Sequence, residues 1–85
     1  MAKREKLLAK ANQSQKGWTR DDVQRLYLAW GFQIHEGSNH TKYIHPKYPD
    51  LFNLVTRSSG IISPAYVTDA IWAIEELIER EKSHA

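Results

Sequence analysis

The hydrophobic period changes twice along this chain, and that change limits the possible folds more than any other feature. Val23, Leu26, Tyr27 and Trp30 recur at i, i+3, i+4 and i+7, which is one apolar face of a helix. From Phe32 the pattern alternates instead, in Phe32-Gln33-Ile34-His35-Glu36, the period of a strand. Two more β-type segments follow at 40–45 and 51–56. The helical period then returns in Val67, Ile71, Ile74 and Ile78, with Ala70 and Leu77 widening the stripe.

Punctuation residues sit at each change. Thr19 is a good N-cap, with Asp22 three residues on as the acidic arm of a capping box. Gly31 occupies the position after the helix, where positive φ is easy for glycine. Gly37-Ser38-Asn39 and Lys47-Tyr48-Pro49-Asp50 are turn clusters, and Ser58-Ser59-Gly60 closes the third strand. Ser63 caps the last helix and Pro64 takes its first position. Strands joined by short turns pair as hairpins. The expected fold is therefore α+β, in the order α-β-β-β-α. It has a three-stranded antiparallel sheet with both helices on one face. The other face is left open for a partner or ligand.

Residues 1–17 read as a basic N-terminal extension and 18–85 as a single domain. Lys3 to Lys10 suits a short helix, with Leu7 and Leu8 as its large apolar residues. Such a helix is marginal alone because nucleation is costly. The polar run from Ala11 to Gly17 is expected to separate it from the domain.

A chain of 85 residues supports one core, not two. Cysteine is absent, which excludes disulfides, thiolate nucleophiles and Cys-based zinc sites. That fits a reducing, cytoplasmic setting. No apolar run approaches the roughly 18–20 residues of a membrane span, and the basic start leads into no signal-peptide core. No cofactor or metal is expected. His40 and His45 have opposite strand parity and diverge, so the five-residue spacing of His35, His40 and His45 makes a poor metal site.

The net charge of +2 hides an asymmetry. Residues 1–20 carry six cations against one carboxylate, and residues 64–85 carry five carboxylates against two cations. Two solvated faces of opposite sign explain this; so does a basic surface for a polyanion at the front. The acidic last helix repels phosphate.

The densest chemical signal is Gly37-Ser38-Asn39-His40-Thr41-Lys42-Tyr43-Ile44-His45-Pro46. A tight turn there presents His40 at the start of a strand. Imidazole exchanges protons near neutral pH. The turn's backbone N–H groups suit phosphate oxygens. The plain alternative is a surface histidine in a hairpin.

Over about residues 16–80 the chain resembles the HicA-type toxins, small RNA-cleaving partners of bacterial toxin–antitoxin pairs. The likeness rests on the helix ending in Gly31-Phe32, the Gly37-Ser38 hairpin with its histidine, the pair His45-Pro46, the third strand, and the helix opened by Ser63-Pro64. It implies a double-stranded-RNA-binding-domain type of fold. It also implies a metal-independent endoribonuclease (an mRNA interferase) and a HicB-like antitoxin partner. The family reads Gly-Ser-His, whereas Asn39 follows Gly37-Ser38 here. Counting forward from Gly37-Ser38 puts Asn39 on the catalytic position, and then RNA is bound without being cut. Counting back from His45-Pro46 puts His40 there, favoured because a turn absorbs one residue more easily than a strand register does. His40 would then assist attack of a ribose 2′-OH on the adjacent phosphate. Gly37, Ser38 and Asn39, with Lys42 and Arg57, would hold the phosphate and offset its charge. A non-catalytic RNA-binding module and a small protein-interaction domain are the alternatives.

Among the remaining residues, Trp30 reads as core and Trp18 as a hydrophobic staple on the helix that follows. Trp72 lies beside the main stripe and is expected to be half exposed, as a contact for a partner protein. His45 reads as structural.

Overall fold

A computed structural model describes residues 2–83. The chain forms α1 (Lys3–Gln13), α2 (Arg20–Ala29), β1 (Gln33–Glu36), β2 (His40–Ile44), β3 (Phe52–Thr56) and α3 (Pro64–Ser83). The three strands make one antiparallel sheet in the order β1-β2-β3. The α+β architecture expected from the periodicity is the one observed.

Local chemistry sets the element ends. The Thr19 hydroxyl accepts from the Asp22 N–H and the Asp22 carboxylate accepts from the Thr19 N–H, a complete capping box. That backbone hydrogen bond, with help from Arg25, keeps the Asp22 carboxyl below its ordinary pKa despite some burial. Gly31 ends α2 at φ 85°, a conformation other residues rarely adopt. The Ser63 hydroxyl accepts from the Ala65 N–H at the start of α3.

The core lies between one sheet face and the helices. Val23, Leu26 and Tyr27 of α2 meet Val67, Ala70, Ile71, Ile74 and Leu77 of α3 over Tyr43 and Val55 of the sheet. Tyr27 and Tyr43 stack with ring centroids 4.4 Å apart and planes 6° from parallel. The buried phenol of Tyr27 accepts from Asn53 Nδ2, and that of Tyr43 donates to Gln24 Oε1. Burial pushes both phenols above their ordinary pKa.

The N-terminal helix is longer than the sequence pattern suggests. It runs three residues beyond Lys10, into the segment expected to be a separator. Ala11 is fully buried in the common core, Leu7 and Leu8 pack against it, and Trp30 Nε1 donates to the Arg4 carbonyl. Tertiary packing thus supplies what a helix of this length lacks alone.

Thr41 and Tyr43 face the helices and are fully buried. Strand alternation therefore turns His40, Lys42 and Ile44 to the opposite, uncovered face.

Candidate functional site

Cross-strand pairing builds the open face in rows. His35 pairs with Lys42, and Lys42 with Leu54. Gln33 pairs with Ile44, and Ile44 with Phe52. His40 pairs with Thr56 at the hairpin end. Paired residues share a face, so two histidines, one lysine and three large apolar side chains (Ile44, Phe52 and Leu54) lie together on one surface. Phe52 is 47% and Leu54 51% exposed. The Lys42 ammonium sits 4.6 Å from the centre of the Phe52 ring, a cation–π contact that holds the cation over the sheet. A shallow depression at the hairpin end is walled by residues 35–40 with Lys42 and Leu54.

Among the described residues, neither the His35 nor the His40 imidazole has a hydrogen bond or ion pair. Both are exposed and available to a ligand. Ser38 and Asn39 are exposed at the turn beside them.

Two site residues expected from the sequence have other work. The Gly37 N–H donates to the His40 carbonyl at 2.9 Å, so it is not open to a phosphate. Closing the turn uses that donor. Arg57 donates to the Gly37 carbonyl at 2.6 Å and lies 3.5 Å from the Glu36 carboxylate. Arg20, the first residue of α2, holds the other Glu36 oxygen at 3.1 Å and donates to Thr41 Oγ1. Glu36 is thus gripped by two guanidiniums, and the hairpin carrying His40 is tied to both α2 and the end of β3. Partly exposed pairs of this kind stabilise little singly, about 0–1 kcal/mol, but here they fix orientation.

Gly37 is needed for closeness rather than for its dihedral angles. A Cβ added there would come 2.8 Å from the His40 carbonyl oxygen. Gly37→Ala is expected to displace the hairpin and destabilise the domain by about 1–3 kcal/mol. Thermal melting checks this, and an unchanged melting temperature would refute it.

His45 turns inward, as its opposite parity to His40 requires. It is 8% exposed, edge-on to Phe32, with Nδ1 accepting from the Lys47 N–H. Burial first, then Lys47, lowers its pKa from the ordinary 6.5, with Glu81 opposing. The unfolded chain therefore takes up this proton at higher pH than the folded one. Stability is full above about pH 7 and is lost as pH falls through 6.5 toward the lower folded value. The depressed carboxyls of Asp22, Asp50 and Glu81 act in a lower window, below ordinary values of 3.8, 3.8 and 4.5. A melting temperature that falls between pH 7 and 5, with a smaller fall in His45→Gln, is the expected result.

A cavity of about 640 Å³ lies away from the hairpin, between α1 and α3 beside Trp30 and His45. Most of its polar groups are already engaged. Arg4 lies over Trp30 and pairs with Glu5, and Glu81 pairs with Lys47. The hairpin end, with its free imidazoles, is the better chemical site. Among the described residues no cluster of three or more His, Asp or Glu is arranged to hold a metal ion, and no helix is long and apolar enough to cross a membrane.

The sequence reading missed the place of His35, which it weighed only as a metal ligand. Its alternation within β1 and the short turn to β2 were the available signal. No family model, no curated protein and no solved structure matches the chain.

Proposed function

We propose that this chain is an RNA-binding endoribonuclease of the HicA toxin type, acting on messenger RNA in the cytoplasm and neutralised by a HicB-like antitoxin protein. One observation carries the proposal: the His40 imidazole, unpaired among the described residues, stands next to Lys42 on an uncovered sheet face that also exposes Phe52 and Leu54. Exposed aromatic rings stack with unpaired bases, and the cation attracts the phosphate between them. A histidine at that point takes the proton of a ribose 2′-OH as its oxygen attacks phosphorus. DNA lacks that hydroxyl and is spared. The acidic surface of α3 directs a polyanion to the sheet side. Trp72, 63% exposed on α3 with Asp69, Glu75 and Glu76 nearby in sequence, suits contact with a partner protein.

The test is incubation of the full chain with end-labelled RNA in EDTA. Cleavage is expected, with binding that weakens steeply as salt rises. Binding without cleavage would instead indicate a non-catalytic RNA module, and absence of both a protein-interaction domain.

A further inference from the structure

We propose that His35 is a second catalytic residue of this site, the general acid that protonates the leaving oxygen while His40 acts as base. The inference rests on the ribonuclease reading above. Five residues apart in sequence, the two histidines are brought onto one face by the hairpin. His35 lies opposite Lys42, and His40 is two residues before Lys42 on the same strand face. That makes His35 and His40 diagonal cross-strand neighbours, with Cα atoms roughly 7–8 Å apart. Both rings border the same depression, with Lys42 beside them and Leu54 across the sheet. Glu36, the carboxylate at its edge, is held by Arg20 and Arg57 and is not free to act in their place.

Two imidazoles at this separation bracket one phosphodiester, and the chemistry needs both. The attacking and leaving oxygens stand on opposite sides of phosphorus, so one group cannot serve both at once. His40 accepts the 2′-OH proton as the 2′-oxygen forms its bond to phosphorus. The bond from phosphorus to the 5′-oxygen breaks, and that oxygen takes the proton of the His35 imidazolium. The products are a 2′,3′-cyclic phosphate and a 5′-hydroxyl, with no other reactant consumed. Lys42 offsets the charge that builds on the non-bridging oxygens.

The experiment uses the full chain and two RNA oligonucleotides of one sequence containing a mapped cleavage site. One is ordinary RNA; the other carries sulfur in place of the 5′-oxygen at that site, and its thiolate departs without a proton. His35→Ala and His35→Gln are expected to slow cleavage of ordinary RNA about 10²- to 10⁴-fold, but that of the sulfur substrate less than about tenfold. His40→Ala is expected to slow both. The wild-type rate against pH is expected to be bell-shaped, and His35→Ala to lose the fall on the alkaline side. Wild-type rates in His35→Ala, or equal losses on the two substrates, would overturn the role of His35 and leave the ribonuclease reading standing. Failure of the wild type to cut either RNA would overturn both.

Discussion

His40→Ala is expected to reduce RNA cleavage by about 10²- to 10⁴-fold while leaving the melting temperature and RNA affinity nearly unchanged. The magnitude is that of losing one positioned proton-transfer group. The stability expectation follows from position. His40 is exposed on the uncovered face and has no hydrogen bond or ion pair among the described residues. Removing such a side chain changes stability by about 0.5 kcal/mol or less. The backbone of residue 40, which accepts from the Gly37 N–H and pairs with Thr56, is untouched by the change. On the proposed reading, affinity rests instead on Lys42 and the exposed Phe52. Cleavage in EDTA, circular dichroism and a salt series of binding measurements separate the three effects. Full activity in a cleanly purified His40→Ala protein would remove the residue from the mechanism.

Tyr27→Ala is expected to have the largest effect on stability, about 3–5 kcal/mol, the range for truncating a large buried aromatic residue. Tyr27 is fully buried where the helices meet the sheet. Its ring stacks on Tyr43 and meets Phe32 edge-on at 5.1 Å, and its hydroxyl accepts from Asn53. Truncation opens a cavity and, among the described residues, leaves the Asn53 amide only its bond to the Asp69 carbonyl. Folded domains are stable by about 0.05–0.15 kcal/mol per residue, so a chain of 85 residues has little in reserve. Much of the variant should be unfolded near 37 °C. Tyr27→Phe keeps the ring and loses only a hydrogen bond, so it should cost about 0.5–1.5 kcal/mol. Urea unfolding of the two variants checks both values, and equal losses would show that the stacking is not what matters.

The same residues show how legible the structure was in the chain. The stripe of Val23, Leu26, Tyr27 and Trp30 identifies the buried face of α2 without any structure, because a helix can turn only one such stripe toward a core. Thr19, Gly31, Ser63 and Pro64 mark their element ends because capping chemistry is local. The observed strands differ from the expected ones by one residue at most at each end. His40 and its turn were legible for the same reason, since both lie within one continuous segment. The partners of Arg57 were not, because Glu36 and the Gly37 carbonyl lie some twenty residues earlier in sequence.

Sequence alone therefore determined the order of elements, the three-stranded meander and the parity that separates His40 from His45. Each depends on neighbours within about ten residues, where dihedral preference and hydrophobic period decide. Tertiary structure alone decided which parity faces water. Thr41 and Tyr43 went inward because Tyr43 completes the stack on Tyr27 and Thr41 finds Arg20 and Glu36. That choice turns His40 and Lys42 outward and, through pairing across the hairpin, places His35 beside them. Only the packing of distant segments carries the energy difference between the two faces of the strand.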